Sequence, residues 1–363
     1  MRDGLHPGLR LLDGLVVTAL ILSLAAVLLP ALLAAREETR SHACLDNLRQ
    51  LGLAFQNYEA HFRSLPPAAS GKDEADTNGE VPGQNHPEQT GYTTVNWVFL
   101  LLPYVGQEKL AAAFDRSVGM YHARNEKIRT TELSVMKCPD DSFNVPENHY
   151  LRPMGEGKQE ARYARGNYGI NDGTDCGCIY PGTVRQPCIN GLVQRYADDH
   201  WSLEALGNGV AGYNKALKLK AFVNGISRIV ALDELRAGLR PVDARGVWAL
   251  AQWGADETFG HGLYEDNGRP NAITGRSDVI KGCPQLVKLV GRETLIRERM
   301  TCAADRDEPK RATARSMHPG GVNVLILDGS AHFISDNVDP IAWHVMHSRN
   351  NPEKIHLPFE SGK

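Results

Sequence analysis

The chain has no excess of basic residues. With 40 Lys and Arg against 43 Asp and Glu it carries a formal net charge of −3 and has a pI near 6.5. It therefore lacks the clustered positive face that neutralises phosphates and releases their counterions, which excludes nucleic acid as a partner. No GxSxG elbow, HExxH pair or P-loop occurs in its 363 residues, so the motifs of the common hydrolases, zinc proteases and nucleotide enzymes are missing. There is no internal repeat and no low-complexity tract beyond the loops. A further absence is local: between Gly14 and Ala35 there is not one charged residue.

Those 22 residues, at about 1.5 Å each, reach roughly 33 Å, enough for a hydrocarbon core of about 30 Å. The reading is a single-pass segment in the inner membrane, with the N-terminus inside, because Arg2 and Arg10 precede the run and positive charge stays cytoplasmic. "ALLAAREE" places Leu33 where a signal peptidase site would have a small residue, which argues against ordinary export cleavage. The apolar pattern continues beyond the run. Leu45, Leu48, Leu51, Phe55, Tyr58 and Phe62 recur at three- and four-residue steps until Pro66 and Pro67, which predicts one continuous rod from about Leu15 to Phe62 with a stripe for a globular head.

This N-terminus resembles that of type IV pilins and type II secretion pseudopilins. Gly8-Leu9-Arg10-Leu11-Leu12-Asp13 stands in the frame of their leader cleavage site, and Pro30 falls where pilin helices carry a kinking proline. The resemblance implies that a prepilin peptidase cuts between Gly8 and Leu9, and that Asp13, standing where pilins have Glu, pairs with the Leu9 amine of a neighbouring subunit. Further along, "CLDNLRQLGLAFQNYEAHFRSLPP" (Cys44 to Pro67), "NWVFLLLPYVGQEKL", "MKCPDDS", "GNYGIN", "FVNGISRIVALDE" and "RSMHPGGVNVLILDGSAHFISDNVD" resemble, in order, segments of the bacterial family called domain of unknown function 1559, also labelled a solute-binding family. Its motif positions here are Cys44, Cys138, Glu234, His318, Asp328 and Gly329.

The resulting organisation is a leader at 1–8, a transmembrane and polymerisation half of the helix at 9–35, an amphipathic half at 36–65, and an extracytoplasmic α+β head at 66–363 in which that half packs on a mainly antiparallel sheet. Residues 67–91 are almost free of aliphatic side chains, which predicts a mobile loop. "VNWVFLLLPYV" reads as a buried segment and Gln107 to Phe114 as a short helix, whereas "RIVALDEL" and "VWALAQW" read as strands. "VNVLILDGSAHFIS" reads as a hairpin about a two-residue Asp328-Gly329 turn, with Val324 opposite Phe333 and Leu325 opposite His332.

Seven cysteines follow the apolar run, and an extracytoplasmic head favours disulfides. Cys44 with Cys138, Cys283 with Cys302, and Cys176 or Cys178 with Cys188 are the candidate bridges. "CGC" with Cys188 lacks the two-residue gap of common zinc knuckles, and "NDGTD", Asn171 to Asp175, lacks the distal Glu of a calcium loop. His318 and Asp328 lie at opposite ends of a strand, too far apart for a catalytic pair, so His318 is expected to cap its own turn and Asp328 to build the hairpin turn. His344 and His347 are expected at a surface or interface. No catalytic residue, metal or cofactor is assigned. The expectation is a non-enzymatic, membrane-anchored, pseudopilin-like assembly protein, partnered by the membrane, a prepilin peptidase and pseudopilin-like subunits or itself. The alternative is a surface-tethered module for a carbohydrate or peptide, with aromatic walls drawn from Trp97, Trp201, Trp248 or Trp253.

Overall fold

The computed structural model describes residues 7–70, 95–153, 160–174, 193–197, 200–206, 208–213, 216–252, 254–261, 268–274, 277–280, 282–304, 311–349 and 355–360. Its longest element is a single helix, α1, from Pro7 to Phe62. The expected rod is therefore continuous, 56 residues or about 84 Å, and it passes through Pro30 without a break. Arg63, in the left-handed region at φ 57°, ends it, and Pro66 and Pro67 prevent its resumption. A bilayer span needs about 20 consecutive apolar residues, and among the described residues no helix is long and apolar enough to cross a membrane. The transmembrane assignment of 9–35, and with it the single-pass inner-membrane location, is corrected by this finding.

The second half of α1 lies on a five-stranded sheet. Its strands are β1 (Tyr168–Asn171), β2 (Val230–Glu234), β3 (Glu257–Thr258), β4 (Gly321–Ile326) and β5 (Ala331–Ser335), in the order β3-β1-β2-β4-β5. All neighbours are antiparallel except β3 with β1. The expected stripe is shifted at its ends: Cys44, Leu48, Leu51, Phe55 and Tyr58 are buried, while Leu45 is half-buried and Phe62 is exposed because it lies past the sheet. Gly52 permits the close approach, since a Cβ there would meet Leu325 at 3.0 Å and the Gly329 backbone at 3.3 Å. The other face is covered by α2 (Pro340–Met346), whose start is set by Asp339 accepting from the Ile341 and Ala342 amides and by Pro340 in the first turn.

Alternation along β4 places Leu325 and Leu327 with α1, and Val322, Val324 and Ile326 with α2, while the pairing with β2 shifts between Leu325 and Ile326, where Ala231 is the extra residue. The expected strand in "RIVALDEL" is β2. The hairpin, however, is one residue out of the expected register: Val324 pairs with His332, Leu325 with Ala331 and Asn323 with Phe333. Ile326 donates to the Ser330 carbonyl, so the loop is Leu327-Asp328-Gly329, with Gly329 at φ 94°. This is the three-residue form, in which a left-handed Gly closes the turn.

"VWALAQW" is also corrected. Gly246 at φ 59° turns the chain, Val247 makes one isolated bridge to Arg165, and Val247 and Trp248 fill the core from a turn. "VNWVFLLLPYV" is buried as expected, through a short helix at Trp97–Leu101, and Glu108–Ala112 is the expected second helix. A second five-stranded sheet and smaller three- and two-stranded sheets complete an α+β architecture.

Candidate functional site

Adjacent residues of a strand point to opposite faces. At the end of β2 this places two neighbouring carboxylates, Asp233 and Glu234, in two separate buried clusters, each with histidine.

On the α1 face, Glu234 meets His318. The His318 Nε2 lies 3.0 Å from Glu234 Oε1, and its Nδ1 lies 2.8 Å from Asp140 Oδ2. The second Glu234 oxygen accepts from the Asn323 amide at 2.8 Å. His318 Nε2 is also 3.5 Å from Cys138 Sγ, and Cys138 is bonded to Cys44 of α1. The backbone around this bridge is held from both sides. Tyr168 donates its hydroxyl to the Cys44 carbonyl at 3.1 Å, Asn47 donates to the Lys137 carbonyl at 2.7 Å, and the Cys138 amide donates to Asn167 Oδ1 at 3.0 Å.

His318 thus has a carboxylate oxygen beside each ring nitrogen. Through these contacts the cluster gathers the helix, the 138–140 segment, β2 and the 316–321 turn. His318 was expected to cap its own turn. Its side chain instead crosses to other segments, because two acids and a sulfur converge there. Cys44, Cys138, Glu234 and His318 come together; Asp328 and Gly329 do not join them. Asp328 accepts from the Ser330 amide and hydroxyl within the hairpin turn, and its carbonyl accepts from Gln56 of α1 at 3.0 Å.

On the α2 face, Asp233 meets His261 and His347, all three fully buried. Asp233 Oδ1 is 3.0 Å from His347 Nε2, and Oδ2 is 3.4 Å from His261 Nε2. Thr258 donates to Oδ2 at 2.5 Å. The two imidazoles stack with centroids 3.8 Å apart, and Trp343 packs edge-on to His261. Burial, reinforced by His347, pushes the His261 imidazole down to about 4. For Asp233 burial works the other way, yet His347 and His261 hold its carboxyl well below the usual carboxylate range.

His344, expected with His347 at a surface, is buried as well and lies 3.1 Å from the His261 carbonyl through Nδ1. Three-residue spacing identified their shared helix face but not its direction, which β4 and the 254–261 segment decide. His261 and His318 lie on opposite faces of the sheet, so they share no cleft.

The Gly173 amide donates to Asn171 Oδ1 at 2.8 Å, so the described part of "NDGTD" is an Asx turn. The Cys283–Cys302 bridge is present. The Cys176, Cys178 and Cys188 alternatives, the 71–91 part of the expected loop, Asp175 and Trp253 lie outside the described residues, as do the side chains of Gly8, Leu9, Asp13, Pro30 and Trp201. Trp97 and Trp248 are buried in the core, which leaves neither as a wall of a surface cleft. "GNGVAG", Gly207 to Gly212, has dinucleotide-loop spacing, but it leads into the strand Gly212–Tyr213, not into a helix N-terminus able to hold a pyrophosphate.

The first half of α1 is a different kind of surface. Leu15, Val16, Val17, Leu20, Ile21, Leu22, Leu24, Leu28 and Leu29 are all 47% or more exposed. They point in every direction around the helix, so no single flat neighbour covers them.

A long helix latched by a disulfide to an α+β head, with histidine-carboxylate clusters on both faces of the central sheet, defines the class of protein. Residues 33–341 match the family described as "Protein of unknown function (DUF1559)", and the chain belongs to that family. No curated protein and no solved structure matches it.

Proposed function

We propose that the chain is a non-enzymatic, pilin-like assembly protein, in which the first half of α1 packs against the same half of other copies and the head is displayed. The observation that carries this is the collar of exposed apolar side chains from Leu15 to Leu29. Apolar surface of that extent is removed from water by association, at about 25 cal/mol per Å². An all-round collar needs several neighbours, as in a bundle or filament core, not one. The amphipathic half and its disulfide hold the head at a fixed place on the rod.

Leu20 and Leu24, 62% and 61% exposed, lie one above the other on one face. Replacing both with Glu is expected to shift the purified full chain from oligomer to monomer in sedimentation, with the head's unfolding transition unchanged. A wild-type chain that sediments as a monomer at every concentration would remove the proposal.

A further inference from the structure

His347 Nδ1 lies 2.7 Å from the Trp343 carbonyl of its own helix. A carbonyl only accepts, so Nδ1 carries a proton, and Nε2 is left facing Asp233 Oδ1, 3.0 Å away. A ring nitrogen and a carboxylate oxygen at that distance share a cation, either a proton or a metal ion. His261 sharpens the point. It is fully buried, and its Nε2 faces the other oxygen of the same carboxylate at 3.4 Å. That separation is long for a hydrogen bond and close to the spacing of two ligands on one ion.

The spacings decide which cation suits the cluster. Donors about 2.0–2.2 Å from a tetrahedral metal stand roughly 3.3 Å apart. The observed carboxylate-to-imidazole spacings are 3.0 and 3.4 Å, and the three donor atoms lie within 4.8 Å of one another. The supporting contacts are also those of a metal site. The Trp343 carbonyl fixes the His347 tautomer, and Thr258 fixes the carboxylate rotamer. Two imidazoles and one carboxylate favour zinc and its neighbours over calcium or magnesium, which take mainly oxygen.

We propose that Asp233, His261 and His347 bind one divalent first-row transition ion, of the zinc class, which pins β2, the 254–261 segment and α2 together. The donors come from three segments distant in sequence, so the ion stabilises the folded head and has little affinity for the unfolded chain.

The test uses the full chain with its disulfides intact, stripped with chelator and titrated with Zn²⁺ and Co²⁺. Expected are one equivalent bound per chain, visible Co²⁺ ligand-field bands of tetrahedral intensity, and a rise in Tm that chelator reverses. His261→Gln is expected to weaken Co²⁺ binding by at least about 10-fold, whereas His356→Gln, at an exposed site, retains it. Absence of both the Co²⁺ spectrum and the metal-dependent Tm in the wild-type chain overturns the proposal, a proton then being the bridging cation. Full Co²⁺ affinity in a folded His261→Gln chain overturns it too, by placing the metal elsewhere. The wild-type titration decides the matter even where a variant does not fold.

Discussion

The Cys44–Cys138 bridge ties the rod to the head across 94 residues, whereas Cys283–Cys302 closes a separation of only 19. Both pairs are buried to a similar degree, at 0% and 4% exposure for the first and 3% and 4% for the second. The cost of deleting sulfur from the core is therefore similar, and comparing the two cancels much of it. What remains is the entropy of the unfolded chain, which for loops of these lengths makes the bridges worth about 4.7 and 3.3 kcal/mol. Their difference depends only on the ratio of lengths, (3/2)RT ln(94/19), or about 1.4 kcal/mol. The paired variant Cys44→Ala, Cys138→Ala is expected to lose that much more stability in urea titration than Cys283→Ala, Cys302→Ala, with the slope of the transition kept in view as a check on the denatured state. Amide exchange adds a spatial test, since losing the first bridge should raise exchange in α1 near Cys44 while losing the second should not. A Cys283–Cys302 deletion that costs as much as or more than the other would refute the reasoning.

Glu257 is buried, and burial first, then Asp256 and Asp172, raise its carboxyl well above the ordinary 4.5. An acid raised by folding contributes stability below its unfolded pKa and loses it as pH rises toward the folded value, at about 1.4 kcal/mol per pH unit in that window. Glu257→Gln should therefore match wild type near pH 4.5 and become progressively the more stable of the two above it, and urea midpoints whose gap does not widen with pH would contradict this. Gly329→Ala meets both a φ of +94° and Gln56 Nε2 at 2.6 Å, and about 1–2 kcal/mol should be lost, with Gln56→Ala rescuing only part of it in thermal melts. Mass spectrometry of the native chain should show a mature N-terminus at Leu9, and an intact Met1 would dismiss processing after Gly8. Asp13→Ala should lower oligomer formation without changing the head's Tm, and equal sedimentation profiles would remove Asp13 from the assembly contact.

How much of this was legible in the sequence follows from the range of the forces involved. The rod announced itself through local periodicity, and β2 through its β-branched run between breakers. The Asp-Gly turn was visible as a turn, but its length was not, because two- and three-residue loops share that dipeptide and only the packing of Leu325 and Leu327 under α1 selects the longer one. The α1-face cluster was half legible. Four of the six family positions, Cys44, Cys138, Glu234 and His318, converge there, but Asp140, in "MKCPDDS", carries no signal of its own beside Cys138. The α2-face cluster was not legible. Asp233, His261 and His347 lie far apart in the chain, and no spacing rule joins a strand, a loop and a helix that meet only when the sheet forms. Alternation along β2 was the available signal, since two adjacent acids in an otherwise apolar strand cannot both face water if both faces are covered.

The anchorage of α1 has a mechanical consequence. Along the packed stretch of the rod, the disulfide at Cys44 and the Gln56 contact to the hairpin turn stand about 18 Å apart along its axis. From Cys44 to Gly14 it continues without a break for about 45 Å more. With Cys44 as pivot a slip of about 1 Å at Gln56 becomes roughly 2.5 Å at the far end, whereas the same slip at Cys44, pivoting on Gln56, becomes roughly 3.5 Å. A covalent fastening at Cys44, the edge of the clamp nearest the free arm, is where stiffness most reduces that error, and it sets how finely the tip can be aimed.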